Sequence, residues 1–156
     1  IEALDTELEI IGREEAVGVD IGERRKNAEF TLQQEREKLD KLTELEGVVR
    51  QVYLDDRIRS YIVNLVAATR APAEVGLGDL VPLIGFGASP RASIALALGT
   101  RAMAMVRGRA YVTPEDVKEL APMVLRHRIV LTYEAEAEEI TSEDVIRKLF
   151  EQVEVP

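Results

Sequence analysis

The sequence predicts an all-α helical bundle with one short strand pair. Three observations carry that reading. Apolar residues make up 46% of the 156 positions, enough for a core of ordinary size. They recur at three-to-four spacing in several separate stretches, as helices with one buried face require. Three of those stretches are preceded by capping residues, at Ser89-Pro90, Thr113-Pro114 and Thr141-Ser142.

Taken in order, IEALDTELEII at residues 1–11 sets Leu4, Leu8 and Ile11 on one face and predicts a short amphipathic helix. Gly12, Gly18 and Gly22 then break up REEAVGVDIGERRKN, which reads as an irregular, exposed connector. From about Glu29 to Tyr53 helical spacing returns through Leu39, Leu42, Leu45, Val49 and Val52, with Gly47 as a point of division. Asp55 or Asp56 caps the next helix, in which Ile58, Tyr61, Ile62, Leu65 and Val66 form one apolar stripe. Pro72 marks its end. Residues 71–89 hold two of the six prolines and four of the ten glycines, so a long ordered loop is expected there.

That loop leads into GASPRAS. Ser89 is a good N-cap and Pro90 suits the first helical position, which puts Arg91 at the second. The helix continues through RASIALALGTRAMAMVRG, where alanines and Gly99 admit close packing, and Gly108 stops it. Thr113-Pro114-Glu115-Asp116 opens another helix, to about His127. RIVLTYEAEA alternates like a strand, and the strand pair is expected near Tyr111 and Ile129. TSEDVIRKLFEQV is a final helix capped from Thr141 or Ser142. Residues 1–49 thus form an N-terminal helical segment with a connector, and residues 50–156 a helical domain.

Charge divides the chain differently. Residues 1–49 carry 7 Lys+Arg against 14 Asp+Glu, residues 50–128 carry 11 against 7, and residues 129–156 carry 2 against 8. The middle is therefore basic between two acidic flanks, and 10 of its 11 cations are arginine, the residue suited to bidentate contact with phosphate or carboxylate. Acidic flanks argue against wrapping a nucleic acid, which needs a broad basic footprint.

Other classes fall to composition. With no cysteine, disulfides, thiolate catalysis and cysteine zinc sites are excluded together, and one histidine, His127, gives no nucleophile a positioned base. No apolar run approaches a signal core or a membrane span. The chain opens on Ile1 and an acidic stretch, which reads as a soluble cytoplasmic protein cut from something longer. No glycine is followed by lysine, so the phosphate loop GxxxxGK[ST] is missing, and Asp55 and Asp56 of VYLDD read as capping residues rather than a magnesium site. Glu134, Glu136 and Glu138 would share one side of a strand, but as a solvated edge, and no metal site is expected. Arg126-His127-Arg128 suits a helix C-terminus; contact with an adjoining subunit is the alternative. Met103 and Met105 read as core filler.

The two proline-marked helix starts make an internal control. Thr113-Pro114-Glu115-Asp116 places acids at the positive end of the helix dipole, whereas Ser89-Pro90-Arg91 places a cation there. That cation costs from a few tenths to about 1 kcal/mol. A phosphate bound at the helix start would convert Arg91 into a charge-assisted contact. A nearby carboxylate would compensate it equally well.

GASPRAS, GRAYVTPEDVKELAP, VLRHRI, LTYEAEAE and ITSEDVIRKLFEQVEVP together resemble the C-terminal lid of the MoxR family of AAA+ ATPases, over about residues 50 to 156. Residues 1–11 resemble the segment after the last strand of that family's ATPase core, while Gly12 to Glu29 departs from the family pattern. The resemblance implies that Arg91 is the sensor-two arginine, reaching with the adjoining Ser89 and Pro90 toward the phosphates of ATP. It implies magnesium and ATP held mainly by an upstream core of the same polypeptide, so that this chain alone does not hydrolyse ATP. It further implies ring-forming homo-oligomers, hexamers, acting as chaperone-like remodellers on client proteins that are metal-dependent or multi-subunit. The rival reading is a helical interaction module, histone-fold-like, with no nucleotide contact.

Overall fold

Helical spacing becomes helix over most of the chain. The computed structural model describes residues 2–16 and 22–156, and they divide into two units, residues 1–48 and 49–156. Among the described residues there are seven α-helices and one two-stranded antiparallel sheet. No helix among them is long and apolar enough to cross a membrane.

In the first unit, α1 is Glu2–Ala16, and α2 begins at Gly22 and runs to Gln51. Ile11 is buried, as are Ala28 and Leu32, and ion pairs Arg24–Glu7 at 3.6 Å and Arg36–Asp5 at 3.3 Å link the two helices. Most of the expected connector is helical: Gly12 lies inside α1 and residues 22–28 inside α2, while residues 17–21 lie outside the described residues. Nor does Gly47 divide α2. A lone glycine costs only about 1 kcal/mol against alanine, and the long run of Leu, Glu, Lys and Gln before it outweighs that cost. Leu39, Leu42 and Leu45 are exposed, so their spacing marks the helix without burying that face.

The second unit owns a continuous core that runs from Val52 to Val153. Helix α3, Asp56–Ala68, starts at Asp55, whose carboxylate accepts the Arg57 N–H at 2.8 Å. Its five-residue stripe is buried as expected. The loop after it contains two short 3-10 turns, Pro72–Val75 and Gly78–Leu80, and then β1, Ile84–Phe86. Next come α4, Arg91–Val106, and α5, Pro114–Leu125. Strand β2 is Val130–Leu131, followed by α6, Tyr133–Ala137, and α7, Ser142–Gln152. Helix α4 packs against both α3 and α5, and α7 also packs against that pair.

Two expectations about strands are corrected. The pair joins β2 to β1, with Ile84 opposite Leu131 and Phe86 opposite Val130, and not to Tyr111. Tyr111 instead forms an isolated bridge with Tyr53, whose N–H donates to the Ala110 carbonyl at 2.8 Å and whose carbonyl accepts the Val112 N–H at 3.0 Å. The strand also ends early, because YEAEA is helix α6. Thr132 causes the switch: its hydroxyl donates to the Pro82 carbonyl at 2.8 Å and accepts the Ala135 N–H at 3.3 Å, anchoring the strand end and capping the helix together. Glu134, Glu136 and Glu138 therefore do not share a strand face. Helix α5 stops two residues short of His127, and Arg128 Nη1 donates to the Val124 carbonyl at 2.6 Å, the helix-end role expected for that cation.

Candidate functional site

The start of α4 gathers Ser89, Pro90 and Arg91, and all three are exposed. The helix opens at Arg91 with Pro90 as its cap residue, one position later than the sequence suggests, and no side-chain capping bond is made there among the described residues. Pro90 already has helical angles, φ −55° and ψ −22°. The Ala92 N–H donates to the Ser89 carbonyl at 2.9 Å and the Ser93 N–H to the Pro90 carbonyl at 3.1 Å. Two donors that an α-helix would leave open are thus used in a tightened first turn. Charge recognition at this helix start accordingly falls to the Arg91 side chain more than to the backbone.

Comparison with α5 shows why the two starts differ. There Asp116 reaches back to accept the Thr113 N–H at 2.9 Å, completing a reciprocal cap. The equivalent position after Ser89 is Ala92, which has nothing to return.

Arg91 has no hydrogen-bond or ion-pair partner among the described residues, whereas several other arginines of the basic middle segment are engaged. Arg59 pairs with Asp56 at 2.8 Å, and Arg70 donates to the Ala88 carbonyl at 3.1 Å. Arg107 and Arg109 converge on Asp116 at 3.0 and 2.6 Å. Among the described residues no carboxylate compensates Arg91.

What precedes Arg91 is held firmly. Ala88 is fully buried, its N–H donates to the Thr69 hydroxyl at 2.9 Å, and that hydroxyl donates to the Val66 carbonyl at 2.7 Å. Gly87 lies so close to the end of α3 that a Cβ there would sit 2.3 Å from the Thr69 carbonyl oxygen. Sequence reading missed Thr69, Arg70 and Gly87 as parts of this site. Gly87 carried a signal in the glycine-rich approach; Thr69 carried none, because its partner is 19 positions away.

Beside this junction a cleft of about 540 Å³ is lined by Thr69, Arg70, Val81, Ile84, Phe86 and Gly87. Phe86 is 75% exposed on β1, and its register partner Val130 is 54% exposed. Among the described residues no group of three or more His, Cys, Asp or Glu is placed to hold a metal ion.

The second strong polar cluster is structural. Asp116 is fully buried and accepts Arg109 Nη2 at 2.6 Å, Arg109 Nη1 at 2.9 Å and Arg107 Nη1 at 3.0 Å. Burial by itself would raise its pKa, but hydrogen bonds from Arg109 and Thr113 outweigh it and hold the carboxyl at about 2. The Arg109 guanidinium also lies 6.0 Å from the Tyr111 ring centre. This network ties the end of α4 to the start of α5.

Residues 81–149 match the AAA lid domain family. Chaperone MoxR1 of Mycobacterium tuberculosis is 44% identical over 115 residues, covering 74% of this chain and 30% of that protein. Residues 81–149 are an AAA lid domain, and the homology to MoxR-family proteins runs over this lid region. Protein MoxR of Paracoccus denitrificans is 37% identical over 90 residues, 55% of this chain and 26% of that one. The crystal structure of a putative ATPase from Cytophaga hutchinsonii superposes with a TM-score of 0.69 at 43% identity, covering 70% of this chain and 33% of that chain. The chain thus spans about a quarter to a third of the length of these relatives. The start of α4 thus offers, on a fixed backbone, a cation with no ion-pair partner among the described residues.

Proposed function

We propose that this chain is the nucleotide-sensing lid of a MoxR-type ATPase and that Arg91 meets the phosphates of ATP held by a core elsewhere in the same polypeptide. The observation that supports it most is the exposed Arg91 guanidinium, unpaired among the described residues and set at the positive end of α4. Such a placement is unfavourable in isolation and becomes favourable beside a polyanion. The residues present fit a phosphate group: a fork of donors on a backbone anchored three residues upstream. Magnesium-assisted phosphoryl transfer would be supplied by the core, and what Arg91 adds is a fixed positive charge beside the developing charge on the phosphates. Residues 1–49 would lead from that core into the lid at residues 50–156. In this reading the lid serves a ring-forming homo-oligomer that remodels client proteins.

The test is Arg91→Ala in the full-length protein. Turnover is expected to fall by about a hundredfold, the scale of losing one preorganised electrostatic contact. The lid's melting should stay within about 0.5 kcal/mol of wild type, because Arg91 is exposed and makes no hydrogen bond or ion pair among the described residues. Unchanged turnover would overturn the role. A helical interaction module without nucleotide contact predicts instead that signals around Arg91 do not shift when nucleotide is titrated into the full-length protein.

A further inference from the structure

We infer that Thr69 and Arg70, the two residues after α3, are positioning residues that set where Arg91 can reach. The inference rests on the reading of Arg91 as a phosphate contact and adds how that contact is aimed. Both polar groups of Ala88 are claimed by this consecutive pair: its N–H by the Thr69 hydroxyl at 2.9 Å and its carbonyl by the Arg70 guanidinium at 3.1 Å. Two bonds of opposite sense on one residue fix both its place and its rotation.

Thr69 cannot slide to follow a loose partner. It is fully buried, and the hydroxyl that accepts from Ala88 donates to the Val66 carbonyl at 2.7 Å, so the bond runs back into the last turn of α3. Gly87 brings the two backbones to a separation at which no other side chain fits, with a built Cβ 2.3 Å from the Thr69 oxygen and 2.7 Å from the Arg70 nitrogen. Only Ser89 and Pro90 separate this clamp from Arg91, and both are held by the tightened first turn of α4. The guanidinium is therefore aimed by α3 as well as by α4, which matters because displacements of about 1 Å at a reacting centre cost up to about a hundredfold in rate.

The experiment compares ATP turnover in the full-length protein for Thr69→Val, Thr69→Ser, Arg70→Ala, Arg91→Ala and the double variant Thr69→Val/Arg91→Ala. Valine keeps the shape and removes the hydroxyl; serine keeps the hydroxyl. Thr69→Val should lower kcat by about tenfold or more with KM for ATP moving far less, and Thr69→Ser should restore it. The double variant should be no slower than Arg91→Ala alone, since a residue acting through Arg91 has nothing left to aim. Arg70 is exposed, so Arg70→Ala tests the same clamp without risk to the core, and a smaller loss of kcat is expected. Wild-type kcat in both Thr69→Val and Arg70→Ala, or losses that multiply in the double variant, would overturn the positioning role while leaving Arg91's intact. Wild-type turnover in Arg91→Ala would overturn the underlying reading itself, and the positioning role with it.

Discussion

Asp116 and Tyr61 show opposite outcomes of burying a polar group. Asp116 is fully buried and receives donors from Arg107, Arg109 and Thr113. Removing it by Asp116→Ala leaves two arginines without their shared partner, and an unfolding titration should show a loss of about 3 kcal/mol, the scale of breaking a buried ion pair. The same group predicts acid sensitivity. Its pKa is lowered from 3.8 to about 2 on folding, so its stabilisation is complete above the unfolded value and is lost as pH falls through the folded one. Melting temperature in wild type should therefore drop between pH 4 and pH 2 by more than in Asp116→Asn, where that proton is absent. An equal drop in both would assign the acid sensitivity to other carboxylates. Tyr61 is only 2% exposed and its hydroxyl finds no partner among the described residues. Tyr61→Phe should accordingly leave the melting temperature unchanged or raise it, because an unmatched hydroxyl is removed and the ring stays.

Among elements, α4 is the one whose two glycine contacts can be set against each other. Gly99 faces α5, where an added Cβ would come 2.5 Å from Leu120 Cδ2, the end of a flexible side chain. Gly87 precedes the helix and faces backbone at 2.3 Å. Gly99→Ala gains about 1 kcal/mol of helix propensity against about 1 kcal/mol for turning Leu120 aside, so its stability should lie within about 1 kcal/mol of wild type. Gly87→Ala has no such escape and should cost about 2 to 3 kcal/mol in a denaturant titration while disturbing the approach to Arg91. Similar losses in the two variants would show that the clamp is looser than its distances indicate. Elements also differ in how openly the sequence declared them. Helices α3, α5 and α7 carried both a periodic stripe and a capping residue, at Asp55, Thr113 and Thr141, and both signals lie within a few residues of each other. For α6 the alternation of Glu and Ala pointed to a strand; a five-residue helix has too few turns to declare a period, and its start depends on a Thr132 bond to Pro82, 50 positions away.

For the whole molecule, the decisive fact is that the buried cluster from Val52 to Val153 is complete within residues 49–156. A fragment of those residues should fold alone and melt cooperatively at the same midpoint as the 156-residue chain. A midpoint lower by ten degrees or so, more than about 1 kcal/mol in a domain of this size, would show that residues 1–48 support the lid. The sequence alone determined that these residues are mostly helical, where most of the helices begin, that no phosphate-loop motif occurs among the 156 residues, and which arginine stands against its dipole. Those properties are written in neighbouring residues, through 3.6-residue periodicity, caps and short motifs. Only the tertiary structure decided that β2 pairs with β1, that Ser89 leaves its helix uncapped, and that Thr69 and Arg70 hold the backbone ahead of Arg91. The β1–β2 pairing and the two bonds to Ala88 join positions 18 or more residues apart, and no local pattern records which distant group a buried N–H or carbonyl will find when the core closes.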